Sequence, residues 1–418
     1  MSRINVNQNE TNIINNRRRH AHRVNYHHFL TLIILFAGLN TLFAEDVILS
    51  PGTPADAGMD ANVLDAAVGI YKHAIENDWS RGAVLFAARK GIVVVNEAVG
   101  WRDKEKGLPM TRNAMFRMAS NTKPVIAAAI SILVEDGKLS YDDLVRQHIK
   151  SFDNYRSGHI TVHHLLTHTS GFRIKPIFFK PLIQKSKKHP NAPNLRLEVD
   201  RFGEVGASVP VGTTYSYSNA GYNTLGALIE KISEKPLEEF LKEQIYIPLG
   251  MTDSYHHEIE GKLDGKLSRM SVVYYKNDDG TWRTGWEPGE SPQYPFVRAS
   301  GGMISTAMDY AIFCQTFLNG GSYKDVRILR PETIDIITKP HTKSIYSPEK
   351  RDTLTGFYGY GWHVTRQGVI THRGSDGTAA WVDPDNELIV LVFTQSPCTK
   401  NKRAASRFMK LVQAAIYE

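Results

Sequence analysis

The chain has 418 residues, 42% of them hydrophobic and 22% charged, which is enough for two domains or one composite domain whose core needs no disulfide framework. Its formal charge of +7 is unevenly placed: residues 1–44 hold five arginines and one glutamate, so the remainder carries only +3. That distribution gives little support for nucleic-acid binding. Cys314 and Cys398 are the two cysteines. Their spacing does not require pairing, and Cys314, in an apolar run, reads as a plain buried thiol.

Residues 1–28 are polar, rich in Asn and basic at Arg17, Arg18, Arg19 and Arg23. An apolar run of about 16 residues follows, from Phe29 to Ala44, short of the roughly 20 that span a bilayer comfortably. Ala44 before Glu45-Asp46 reads as a signal-peptide cleavage point, with Leu42 departing from the usual small residue. The expectation is export to the periplasm or the extracellular space with residues 1–44 removed. An uncleaved N-terminal anchor is the alternative, and the one route to a membrane partner. No cysteine lies near the junction, so lipoprotein processing is not supported.

Apolar residues at Leu64, Ala67, Ile70, Tyr71 and Ile75 predict an amphipathic helix over 62–76. Two β-rich runs, 82–88 and 92–99, joined at Arg89-Lys90-Gly91, predict a hairpin. Then comes Phe116 to Ala127, which places Ser120 three residues before Lys123. Pro124 and the apolar run after it predict a buried helix starting close to Ser120. Residues three apart share a helix face, so the lysine amine can reach the serine hydroxyl. A serine is a weak nucleophile until a base takes its proton, and a lysine serves as that base once its pKa is lowered. By itself a Ser-x-x-Lys match is a weak signal.

Residues 160–172 predict a helix capped by Thr161 and stopped at Gly171. His164 and His168, four apart, suggest a metal pair, but no third ligand is evident, and packing is the better reading. Residues 173–200 read as a long basic loop with Phe178-Phe179, residues 224–233 and 236–246 as helices, and 250–297 as loop. A helix over 307–319, a short helix after Pro331 and a loop at 339–356 follow. The tail reads as four strands (360–365, 369–373, 378–382 and 387–395), with Asp383 to Asn386 turning between the last two, and a helix over 403–418.

Three pieces line up in order: Ser120-x-x-Lys123, Tyr217-Ser218-Asn219, and His372-Arg373-Gly374. With Phe116 to Pro124, His164 to Gly171, Tyr217 to Tyr222, Gly301-Gly302 with Ser305-Thr306, and Trp381 to Pro384, the chain resembles the serine β-lactamase and penicillin-binding-protein superfamily over about residues 50–418. It looks closest to the class C-like branch, which also holds D-alanyl-D-alanine carboxypeptidases, D-aminopeptidases and carboxylesterases. The resemblance implies an α+β fold: an antiparallel sheet flanked by helices and built from both chain ends (45–115 and 290–418), with a mostly helical subdomain at 116–289.

It also implies roles. Ser120 is the expected nucleophile, and Lys123 and Tyr217 share its proton, the lysine ammonium favouring a Tyr217 phenolate. Asn219 contacts substrate or lysine. The N–H groups of Ser120 and Ser375 form the oxyanion hole, and His372 and Gly374 belong to the substrate-binding strand. Where many β-lactamases carry lysine, His372 is mostly neutral at pH 7, which weakens the case for a dedicated β-lactamase. Arg373 does not replace that charge, because neighbouring strand residues face opposite ways. The expected activity is hydrolysis of small-molecule ester, amide or peptide substrates through an acyl-enzyme. Esterase ranks first, D-peptidase second and β-lactamase third, and a non-catalytic cell-wall-binding protein is the alternative of another class. No Gly-x-Ser-x-Gly is present, which disfavours an α/β-hydrolase. No metal or organic cofactor signature is seen.

Overall fold

Two strands from opposite ends of the chain meet at the centre of the main sheet, and their composition explains why. A computed structural model describes residues 46–172, 183–256, 263–292 and 294–417. The leader, Phe178-Phe179 and Lys180 lie outside the described residues. Strand β1 (Ser50–Pro51) precedes helix α1 (Ala61–Glu76). The Asp60 carboxylate caps α1 by accepting from the Asn62 and Val63 N–H groups, a contact worth about 1 kcal/mol. Next come β2 (Gly82–Arg89), β3 (Ile92–Asp103) and the short β4 (Leu108–Pro109). Lys90 and Gly91 both take positive φ, 52° and 77°, the backbone that a two-residue hairpin turn needs.

β5 (Phe116–Arg117) leads through a 3₁₀ turn, Ala119–Asn121, into α2 (Thr122–Glu135). Every residue of α2 from Thr122 to Leu133 is buried. The middle of the chain adds α3 (Val162–Leu166), α4 (Leu195–Val205), α5 (Asn219–Ser233), α6 (Leu237–Leu241) and α7 (Ile247–Leu249). It continues with strands β6 (Tyr255–His256), β7 (Val273–Lys276), β8 (Trp282–Trp286) and β9 (Met303–Ser305), then α8 (Ala307–Leu318). The hairpin β10 (Ser322–Tyr323) and β11 (Val326–Arg327) is followed by α9 (Pro331–Thr338) and α10 (Pro348–Thr353). The tail supplies β12 (Gly356–Tyr358), β13 (His363–Thr365), β14 (Ile370–Arg373), β15 (Ala379–Asp383), β16 (Leu388–Thr394) and α11 (Thr399–Ala414).

The main sheet runs β1-β3-β2-β16-β15-β14-β13-β12, with β4 on β3, and is antiparallel except where β1 meets β3. β16 joins β2 over seven pairs, from Leu388 opposite Arg89 to Thr394 opposite Ala83. β16 is buried on both faces, and β2 is buried up to Ala88. Ala83, Leu85, Ala87, Val390 and Val392 pack with α1 and α11, while Val84, Phe86, Leu391 and Phe393 pack with α2 and α8. A strand covered on both faces reads as a continuous apolar run, which is why these two are the most legible in the sequence.

Four loop or helix readings need correction. The helix expected over 160–172 ends at Leu166, and His168 takes φ 59°, so His164 and His168 do not share a helix face. The basic segment 173–200 is not all loop: Asn194 caps α4, which buries Leu195, Val199 and Phe202 under a charged exterior. The stretch 250–297 contains β6, β7 and β8. The stretch 339–356 contains a 3₁₀ turn, His341–Ile345, and α10. Cys314 is buried and Cys398 partly so; both are free thiols.

Candidate active site

Ser120 sits on the tight turn that delivers the chain from β5 into α2. Its predecessor Ala119 takes φ 46°, a left-handed conformation that costs a non-glycine residue about 1–3 kcal/mol. The turn is fixed from four sides. The Thr122 hydroxyl donates to Ala119 O (2.7 Å), and the Met303 N–H donates to that hydroxyl (3.0 Å). Thr378 donates to Met118 O (3.0 Å), and Tyr310 donates to Asn121 O (2.9 Å). The Asn121 amide lies 2.9 Å from the Thr378 hydroxyl. The connection between β14 and β15, strand β9 and helix α8 are therefore all tied to the serine turn.

Lys123 is fully buried. Its Nζ lies 3.2 Å from Ser120 Oγ, 2.8 Å from Asn219 Oδ1 and 2.7 Å from Ser300 O. Burial, with the Arg298 charge adding to it, holds the amine well below the ordinary lysine range. A neutral amine has two protons, and Asn219 and Ser300 O take them at the two shorter distances. The remaining lone pair then faces the Ser120 hydroxyl, the geometry a general base requires.

Tyr217 and Asn219 reach this point because His168 holds their loop. The Ser216 N–H donates to His168 O (2.9 Å) and the Ser218 N–H donates to His168 Nδ1 (3.0 Å). Ser218 then caps α5 by accepting from the Gly221 N–H. The His168 ring is enclosed by Tyr215, Tyr217, Tyr222 and Tyr358, with centroids at 4.4–5.9 Å. Burial holds it well below the usual histidine range. The left-handed backbone of His168 is thus the price of turning its ring under the tyrosine loop.

Lys123 Nζ lies 4.7 Å from the centre of the Tyr217 ring. The ring is 42% exposed, while its hydroxyl reaches Ser120. Desolvation of that end raises the phenol above its ordinary range, and the Ser120 hydrogen bond opposes the rise only in part. That direction runs against the expected phenolate, and burial also disfavours the charged lysine that was to stabilise it. With so much of the ring open, the upward shift at Tyr217 is weaker than at the enclosed Tyr222 and Tyr358, and its direction is the same.

His372 is buried. Its Nδ1 accepts from the Arg373 N–H (2.9 Å), and its Nε2 lies 3.1 Å from the Tyr358 hydroxyl. Burial, then Lys123, push its pKa down to about 3, so it is neutral across the physiological range. Arg373 turns the other way, donating to Ser406 and lying over Trp381. Gly374 is required by close approach: a Cβ there falls 2.3 Å from Thr378 Oγ1 and 2.5 Å from Met118 O. The Ser375 N–H has no protein acceptor among the described residues. Ser375 lines the same cleft of about 460 Å³ as Ser120 and Asn219; His372, Gly374 and Tyr217 do not line it.

The sequence-expected Ser120, Lys123, Tyr217, Asn219 and Ser375 thus converge, with His372 and Gly374 behind them. Residues 69–414 match the family model described as Beta-lactamase. The chain belongs to the beta-lactamase family. Membership makes it a β-lactamase-related serine hydrolase. A relative from Escherichia coli O157:H7, whose name proposes a D-alanyl-D-alanine carboxypeptidase, is 24% identical over 88% of this chain and 90% of its own. Among solved structures, the octameric penicillin-binding protein homologue from Pyrococcus abyssi is similar at 26% identity and a TM-score of 0.67, covering 85% of this chain and 78% of that one. EstCE1, a hydrolase with promiscuous acyltransferase activity, shares the fold at 20% identity and a TM-score of 0.69, over 86% of this chain and 99% of its own.

Sequence reasoning missed Ser300, Tyr358 and Arg298, and read His168 as packing and hydrogen bonding, as its contacts with the tyrosine rings and the Ser218 N–H have it. Ser300 abuts the Gly301-Gly302 motif and His168 lies inside the His164 to Gly171 motif, so both had a signal. Tyr358 and Arg298 had none, since each acts across a long sequence separation.

Proposed function

We propose that this serine hydrolase is exported and cleaves ester or amide bonds through an acyl-enzyme on Ser120. The observation that carries the reading is the buried Lys123 amine, 3.2 Å from Ser120 Oγ and otherwise engaged by two oxygen acceptors. In this reading neutral Lys123 takes the Ser120 proton as Oγ bonds to the substrate carbonyl carbon. The carbonyl electron pair moves onto oxygen, which the Ser120 and Ser375 N–H groups hold. Loss of one such donor typically costs about 10²–10³ in turnover.

Collapse breaks the bond to the leaving group, which takes the Tyr217 hydroxyl proton, and Tyr217 is refilled from the Lys123 ammonium. Water then attacks the acyl carbon, returns its proton through Tyr217, and releases the acid and free Ser120. The leader at 1–44 supports export. Subdomains at 45–115 with 290–418, and at 116–289, would place Ser120 where helices meet the sheet.

Ester hydrolysis ranks first, because a neutral, buried His372 offers no fixed cation to a substrate carboxylate. D-peptidase activity follows, favoured by the name of the E. coli relative. A fluorophosphonate or penicillin probe tests the mechanism. Modification is expected at Ser120 and lost in Ser120→Ala; if neither probe modifies the wild type, the covalent mechanism is wrong. Turnover on p-nitrophenyl esters, nitrocefin and a D-Ala-D-Ala peptide ranks the substrates.

A further inference from the structure

The layer of the molecule across the sheet from α2 carries a second groove, and its charge is of one sign. Helices α1 and α11 pack on Leu85, Ala87, Val390 and Val392, while α2, which begins beside Ser120, packs on the other face. Between α1 and α11 lies a groove of about 640 Å³. Its floor is apolar, made by Ile70 of α1, by Trp79 just beyond that helix, and by Ala404 and Leu411 of α11. Lys400, Arg403, Arg407 and Lys410 form its rim, with His73 edge-on to Trp79 at 5.2 Å. Among the described residues no carboxylate lines it.

The sequence of α11 builds that rim. Its charged residues are Lys400, Lys402, Arg403, Arg407 and Lys410, all basic. Four of them recur at intervals of three, four and three residues, which puts them on one stripe of the helix about 15 Å long. Neighbours on the stripe carry like charge and repel. All four are exposed, and none pairs with a carboxylate among the described residues. Lys400 rests against Trp79, 5.0 Å from its ring centre. Recognition of one particular carboxylate relies on guanidiniums locked by their neighbours. Here no side-chain hydrogen bond fixes the cations, and they border an apolar floor with a tryptophan at its end. That combination fits a fluid anionic interface: the cations meet headgroup phosphates, and the apolar residues meet the layer below them. Because α2 and its serine lie across the sheet, docking through α1 and α11 leaves the Ser120 cleft open.

We propose that the groove between α1 and α11 seats the protein on an anionic phospholipid surface. This route to a membrane does not need the leader, and it is independent of the hydrolase reading. The described core lies within Glu45–Glu418, a compact unit, so that chain is tested and the basic leader does not contribute. It is sedimented with vesicles of phosphatidylcholine alone and of phosphatidylcholine mixed with phosphatidylglycerol.

The wild type is expected to bind the mixed vesicles and not the neutral ones, and added salt weakens the binding. Each cation near such a surface is worth about fivefold in partitioning, so Arg403→Gln/Arg407→Gln lowers it by about 25-fold. Lys187→Gln/Lys188→Gln removes the same charge from another exposed segment and leaves binding unchanged. A blue shift of tryptophan emission accompanies binding and is lost in Trp79→Phe. Equal binding to both kinds of vesicle, binding to neither, or equal losses in the two double variants overturns the proposal. So does a blue shift kept in full by Trp79→Phe. Binding to soluble poly-L-glutamate but not to the mixed vesicles overturns the membrane and assigns the groove to an acidic protein.

Discussion

Replacing Lys123 by methionine separates a buried general base from a buried structural cation. The side chain is fully enclosed and holds Asn219 Oδ1 and Ser300 O. Removing it leaves two acceptors without a donor, at about 1–3 kcal/mol each, an offset that does not vary with pH. The informative quantity is the slope. In the unfolded chain this lysine titrates near 10.4; in the folded protein its pKa lies well below that. Between the two values the unfolded state binds one more proton, so wild-type stability rises with pH by about 1.4 kcal/mol per unit. The methionine variant lacks that contribution.

With the amine neutral at pH 7, as a base must be, the wild-type advantage grows by about 2.7 kcal/mol between pH 7 and pH 9. Urea unfolding of both proteins at several pH values measures it, because the other titrating groups cancel in the difference. The same substitution lowers kcat/KM by about 10²–10⁴-fold. Parallel stability profiles would mean that Lys123 is a folded-state ammonium and would refute its role as base.

Tyr217→Phe is expected to lower kcat by about 10²–10⁴-fold and to let the acyl-enzyme accumulate, visible as a mass adduct on Ser120; a full-rate enzyme would remove Tyr217 from the proton path. Gly374→Ala pushes a methyl into Met118 O and Thr378 Oγ1, and the displaced serine turn should cost about 10²-fold in kcat/KM; unchanged kinetics would show that the β14 contact does not position Ser120. Because His372 titrates at about 3, the ratio of kcat/KM on anionic and neutral esters should hold level from pH 5 to pH 8. An inflection near 6.5 that disappears in His372→Asn would show that this imidazole does gain charge in the substrate's presence.

The central strands were readable because burial on both faces leaves an apolar signal that needs no partner to be recognised. The same holds for α2, whose run after Pro124 is apolar all round. Ser120 and Lys123 were readable because helical spacing fixes their proximity locally. Helix α4 was hidden, since three buried large apolar residues, Leu195, Val199 and Phe202, under a charged exterior look like a polar loop when chain neighbours alone are considered. The hairpin of β7 and β8 was missed for a related reason: Trp286 is buried in a cluster with Met115 and Ile304 and lies 5.6 Å from the Arg117 guanidinium, and Met115 and Arg117 are far away in sequence.

The sequence by itself determined the candidate residues of the site, because Ser-x-x-Lys, Tyr-x-Asn and His-x-Gly are short and local. The tertiary structure decided the direction in which each pKa is moved. Burial pulls the Lys123 amine and the His372 imidazole down and pushes the Tyr217 phenol up, since desolvation depends on every element packed around a group. It also decided which residues share the cleft with Ser120. Arg283 and Arg298 come from loops and an edge hairpin without a motif, and their juxtaposition with Ser120 exists only once the chain is folded.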